Sequence, residues 1–217
     1  MGIVERLSLV ELGFPSSEIL RFPLLDTPIP PSPFKNALLT EMYGFFMKAL
    51  TPMTIALVYF TLVHFCNLII RRRQIAAAQK QAEKDPKAKS NRLPAAPLSI
   101  AKTPLFKVLV LLHNVFLCVY SAWTFIGMTS TMKNTSRLFV DKDTQFSSVG
   151  RLFQAVCDLE KGVLSSDLPW KNLNFFGFWF YISKFYEVLD TIIILLKGRP
   201  SSLLQSYHHS GAMMCMW

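Results

Sequence analysis

Charged side chains are scarce in this chain: they make up 17% of the 217 residues, against 51% hydrophobic, and the mean hydropathy is +0.32. That balance disfavours an ordinary soluble domain. A chain that stays solvated and disordered throughout is excluded as well, because 18 Phe, 4 Trp and 6 Tyr supply too much apolar surface. Cysteine is also sparse. Cys66, Cys118, Cys157 and Cys215 form no close pair and three of them lie in apolar runs, which argues against a disulfide framework or a zinc site. No cleavable signal is expected, since Glu5, Arg6 and Glu11 interrupt the opening before an apolar stretch can form. No internal repeat is found.

What the chain has instead is uncharged apolar length. Residues 49–70 and 108–132 hold no Asp, Glu, Lys or Arg, and each exceeds the roughly 20 residues that cross a hydrocarbon core as a helix. Residues 172–196 are long enough but carry Lys184, Glu187 and Asp190, and a fourth run from 201 is still uncharged at Trp217. The expected architecture is therefore all-α: a polytopic membrane bundle of three full spans and the start of a fourth, in a piece of a longer protein. Residues 1–48, with the proline-rich stretch 22–34, are expected to be irregular or to lie on the membrane surface.

The net charge of +9 is concentrated in one place. Loop 71–107 holds ten basic residues against only Glu83 and Asp85, a net of +8, which assigns it to the cytosol and the N-terminus to the opposite, lumenal side. Lys197 and Arg199 then end the third span at the cytosolic face. The near-balanced connection 133–171 is lumenal on this scheme, where Asn134-Thr135-Ser136 is a glycosylation sequon. Inside the basic loop, RRRQIAAAQKQAEK favours a helix that extends out of the membrane. Its charge suits anionic headgroups, and the lack of interleaved aromatics argues against nucleic acid.

Ionisable groups inside a span are costly if they face lipid, so three in one segment point to a protein-lined polar interior. At about 100° per residue, Lys184, Glu187, Asp190 and Thr191 share about a third of the helix surface. Lys184 and Glu187 can neutralise each other at i, i+3. Asp190 is left needing a partner or a proton. Tyr207, His208 and His209 follow near the start of the fourth run; histidine can act as nucleophile, acid or base near neutral pH. His64 and His113 are structural by default, with His113 the better candidate to face the interior.

These residues in combination resemble a known family. Lys184-x-x-Glu187-x-x-Asp190-Thr191, followed by Tyr207-His208-His209 and preceded by Leu112-His113-Asn114, is similar to the very-long-chain fatty acid elongases, membrane-embedded condensing enzymes of the endoplasmic reticulum. The likeness covers about residues 49–217. It implies a seven-helix enzyme whose last six spans enclose an acyl tunnel open to coenzyme A at the cytosol. It further implies condensation of a long-chain acyl-CoA with malonyl-CoA to a 3-oxoacyl-CoA, carbon dioxide and coenzyme A. No cofactor or metal is expected for that step, and reductases and a dehydratase would complete the cycle. One departure stands out: Gln205 takes the first position of a box that is usually HxxHH, as in a subgroup that includes enzymes acting on polyunsaturated chains.

On this reading His208 is the nucleophile or base and His209 its acid and base partner. Gln205, Lys184 and Tyr207 donate hydrogen bonds, and Glu187 and Asp190 orient a histidine or a lysine. Thr191, His113 and Asn114 contact substrate, while Lys197, Arg199, Lys102 and Lys107 meet coenzyme A phosphates at the cytosolic mouth. Two competing readings remain. A metal-dependent desaturase or hydroxylase needs many more imidazoles than the four histidines present. A transporter or structural membrane protein would also carry intramembrane Lys, Glu, Asp and His.

Overall fold

The computed structural model describes residues 28–84, 93–140, 150, 162–165 and 172–217, and the side chains of these except 135–140. Six α-helices lie in them: α1 (Ala37–Phe46), α2 (Leu50–Lys84), α3 (Pro104–Val140), α4 (Leu173–Tyr186), α5 (Val188–Leu196) and α6 (Leu203–Cys215), with a 3-10 turn at Ser99–Lys102. There is no strand among the described residues.

Two helices are long and apolar enough to cross a membrane, within Leu50–Lys84 and Pro104–Asn134. Only 22% and 11% of their most apolar windows are buried. Leu57, Leu62, Phe65 and Leu68 on α2, and Leu109, Leu111, Val119 and Phe125 on α3, point outward. Exposed apolar surface on that scale suits lipid rather than water. Helix α2 runs on through the three arginines to Lys84, as the Ala, Gln and Lys content predicts. Helix α3 continues past the expected boundary at 132, so Asn134 sits within a helix.

Two segments depart from expectation. Residues 37–46, within a leader expected to be irregular or to lie on the membrane surface, form the helix α1, because the Asn36 side chain caps the Leu39 amide and Tyr43 inserts into an aromatic cluster with Phe34, Phe175, Phe178 and Tyr181. The charged segment 172–196 is not one unbroken helix: α4 and α5 meet at Glu187, where the Asp190 amide bonds the Glu187 carbonyl three residues back. Ser183 lies one turn earlier and donates its hydroxyl to the Phe180 carbonyl, a back-bond that bends helices.

The helices pack in a definite order. Pro52, Ala56, Tyr59, Val63, Ile70 and Gln74 are buried at intervals of three, four and seven, so α2 presents one stripe, chiefly to α6. Helix α3 lies along α4, and Gly127 lets the Phe176 ring approach where any Cβ would collide. Tyr120 Oη bonds the Trp179 carbonyl at 2.6 Å. One end of the bundle is closed by Tyr181 Oη on the Phe46 carbonyl and Trp217 Nε1 on the Met47 carbonyl.

The other end is stitched by polar groups. Asn67 exchanges two hydrogen bonds with the Ser201 backbone, and Gln74 Nε2 donates to the Gly198 carbonyl at 3.0 Å. The extended residues before the 3-10 turn pair with the same corner, Ala96 N to Gly198 O and Leu98 N to Leu196 O. The end of the basic loop and the Lys197–Arg199 corner therefore share one end of the molecule.

Gly198 has φ +69°, and a Cβ there would lie 2.1 Å from the Ala96 carbonyl carbon. Gly198→Ala should cost about 1–3 kcal/mol from backbone strain, before any shift of Ala96, read as a lower melting temperature of the full-length protein in detergent. A second check concerns the crosslink between α2 and α5, where Tyr59 Oη and Thr191 Oγ1 are 2.8 Å apart and buried. A double-mutant cycle of Tyr59→Phe and Thr191→Val should return a coupling of about 0.5–1.5 kcal/mol.

Candidate functional site

The polar residues of α4 and α5 are shared between two neighbours. Towards α6, the Lys184 ammonium meets Glu187 Oε1 at 2.7 Å and lies 4.3 Å from the centroid of the Phe180 ring. Ser183 Oγ, whose proton goes to the Phe180 carbonyl, lies 3.4 Å from the same oxygen. The other carboxylate oxygen of Glu187 is 3.9 Å from His209 Nδ1. That is beyond hydrogen-bond length but within reach of charge. His209 is buried with its ring edge-to-face with the Tyr59 ring, and its Nδ1 has no hydrogen-bond partner among the described residues. Thr191, wholly buried, receives Gln205 Nε2 at 3.4 Å on the hydroxyl that also binds Tyr59.

Towards α3, Asp190 Oδ1 lies 2.8 Å from His113 Nε2, and His113 Nδ1 lies 3.2 Å from Tyr186 Oη. His113 is buried, while the side chain of Asp190 stays one-third exposed. The two halves adjoin through the chain itself, since Glu187 of the first and Asp190 of the second lie three residues apart, with the Asp190 amide on the Glu187 carbonyl.

Of the residues singled out from sequence, the structure brings Lys184, Glu187, Thr191, Gln205 and His209 into one cluster and Asp190 and His113 into an adjoining one. It leaves Tyr207, His208 and Asn114 exposed, and Lys102, Lys107, Lys197 and Arg199 exposed as well. His208 touches the cluster through the His209 ring, at a centroid separation of 5.5 Å. Among the described residues no group of three or more His, Cys, Asp or Glu is placed to hold a metal ion.

Sequence reasoning missed Tyr59 and Tyr186. Tyr59 carried a usable signal, since it falls at three- and four-residue steps between Ala56 and Val63 on the buried stripe of α2. Tyr186 carried none, because its partner is 73 residues away. An apolar groove of about 500 Å³ between α2 and α5, lined by Val58, Tyr59, Leu62, Phe185, Thr191 and Leu195, flanks the cluster.

The family model for ELO, the GNS1/SUR4 family, matches residues 45–217. Two Dictyostelium discoideum proteins provisionally named fatty acid elongases are 34% identical over 103 residues and 32% identical over 111 residues. These matches cover 48% and 51% of this chain, and 35% and 32% of the relatives. Fatty acid elongase sre1 of the same organism is 27% identical over 116 residues, which is 54% of this chain and 37% of that protein. The chain thus spans about a third of the length of the curated relatives it matches. No solved structure matches it. On the extent of the family match, the chain belongs to the ELO (GNS1/SUR4) family, whose relatives here are fatty acid elongases.

Proposed function

We propose that the whole protein, of which this chain is a part, condenses a long-chain acyl-CoA with malonyl-CoA. The products are a 3-oxoacyl-CoA two carbons longer, carbon dioxide and coenzyme A. The observation that carries this reading is the half-buried Lys184–Glu187 pair facing a buried His209, beside an exposed His208, within apolar helices of an elongase-family chain. In the proposed reaction His208, open to an incoming thioester, is the nucleophile or base. His209, facing the Glu187 carboxylate, is its acid and base partner. Lys184, Gln205 and Tyr207 supply hydrogen bonds as negative charge develops on oxygen, and Thr191 fixes Gln205 relative to α5.

The wider scheme follows the charge distribution. Residues 49–217 supply four spans of a seven-span enzyme in the endoplasmic reticulum, with the N-terminus lumenal and loop 71–107 cytosolic. Lys102, Lys107, Lys197 and Arg199, gathered at one end, meet coenzyme A phosphates there. No cofactor enters the condensation itself, and separate reductases and a dehydratase act on its product. Gln205 in place of a histidine favours polyunsaturated acyl chains as substrates.

The test is to incubate the full-length protein in membranes with labelled malonyl-CoA and a panel of saturated and polyunsaturated acyl-CoAs, without NADPH and with a chelator. A 3-oxo product two carbons longer is expected; none across the panel, with substrate moved across the membrane instead, would favour a transporter. His208→Ala should abolish condensation while the protein still inserts at wild-type levels. Unchanged turnover in that variant would remove His208 from the reaction.

A further inference from the structure

The condensation proposed above does not conserve protons. Acyl-CoA and the malonyl carboxylate yield a 3-oxoacyl-CoA, carbon dioxide and a coenzyme A thiol only if one proton is consumed in each turnover. A site enclosed by apolar helices needs a group that stores that proton and a route that delivers it. Glu187 is committed to Lys184, and Gln205 cannot exchange a proton near neutral pH.

The second polar cluster has the required parts. His113 uses both ring nitrogens, Nε2 towards Asp190 Oδ1 at 2.8 Å and Nδ1 towards Tyr186 Oη at 3.2 Å. The imidazole is buried, whereas Tyr186 is 36% exposed. The three groups come from α3, α4 and α5 and are held by rings, with Tyr186 tilted on His113 at 5.2 Å and edge-on to Phe116 at 5.2 Å. A structural pair would need only His113 and Asp190. The third member places a hydroxyl at the open end of a chain whose other end is a carboxylate.

We infer that Asp190, His113 and Tyr186 form a proton relay and that Tyr186 donates its proton to the departing coenzyme A thiolate, with His209 left as the partner of His208, an inference that rests on the proposed function. In the loaded state His113 is an imidazolium. Its Nε2–H donates to the Asp190 carboxylate and its Nδ1–H donates to the Tyr186 oxygen, which turns the tyrosine's own proton outward. When the coenzyme A thiolate departs, the Tyr186 O–H bond breaks and an S–H bond forms. The His113 Nδ1–H bond breaks in step and a new Tyr186 O–H bond forms. His113 is left neutral, Asp190 is still a carboxylate, and one proton from water reloads the imidazole. Asp190, the carboxylate end of the relay, also lies within charge range of His209 of α6.

Tyr186→Phe in the full-length protein tests the relay, since the ring contacts with Phe116 and His113 survive the loss of the hydroxyl. Turnover should fall about 100-fold, with the KM for acyl-CoA within twofold of wild type. The solvent deuterium effect on turnover should grow, because proton delivery has become slow. His113→Gln should behave alike, as an amide can still bond Asp190 but cannot carry the proton. Turnover of Tyr186→Phe within twofold of wild type overturns the relay, as does a loss of turnover with an unchanged solvent effect, which marks a packing role. A wild-type protein that makes no 3-oxo product removes the condensation itself, and the relay with it. A productive wild type beside an unimpaired Tyr186→Phe removes the relay alone.

Discussion

An ionised side chain in a low-dielectric interior has to find its counter-charge within a few ångströms, and that requirement shapes this structure more than any other. The α4–α5 segment carries a lysine and two carboxylates among aromatic and aliphatic residues. Lys184 and Glu187 settle one charge pair within the helix itself. Asp190 cannot be settled locally, and His113 of α3 supplies its partner. Each neighbour thus contributes one imidazole to the same charged segment: α3 brings His113 to Asp190, and α6 brings His209 to Glu187. Removing one partner of such a pair leaves an uncompensated charge, a loss that reaches about 3–5 kcal/mol where both groups are fully buried and is smaller here, where Asp190 is one-third exposed. A single neutral hydrogen bond between membrane helices contributes only about 0.6 kcal/mol on average.

Those magnitudes separate two kinds of polar contact. Tyr120 on the Trp179 carbonyl, Tyr181 on the Phe46 carbonyl and Tyr59 on Thr191 are neutral bonds that align helices. They set register, and each can be lost without emptying the membrane segment of partners. The Lys184, Glu187 and Asp190 contacts hold charge, so they constrain which helices must adjoin α4 and α5. The bend at Glu187 serves the same end. A carboxylate at the junction of two helix segments offers one oxygen to Lys184 within its own helix and the other to His209 on the next.

What could be read from the amino-acid order follows from whether the physics is local. The i, i+3 spacing of Lys184 and Glu187 fixes their contact by helix geometry alone, and apolar length alone marks α2 and α3 as membrane-crossing candidates. The need of Asp190 for a partner was legible, since one carboxylate remained after the pairing. The identity of that partner rests on helix order across 77 residues and was legible only as a preference for His113 over His64. Tyr186 and Tyr59 were hidden because an aromatic residue in an apolar run reads as packing until its hydroxyl is placed. Helix α1 was hidden because ten residues after a proline-rich stretch carry little periodic signal, and what secures it is tertiary contact with Phe175 and Phe178. The break at Glu187 has neither proline nor glycine to announce it.

Gln205 ties two helices together: its amide donates to the Thr191 hydroxyl and so links α6 to α5. It lies four residues before His209, on the same face of the helix, and three before His208. An amide at that position can orient a neighbour or a substrate oxygen, but it holds no proton to give near neutral pH. The two imidazoles of α6 lie in unlike surroundings, one buried beside a carboxylate and one exposed. Groups of the same kind in different environments need not behave alike, and His208 and His209 differ both in burial and in the charge beside them.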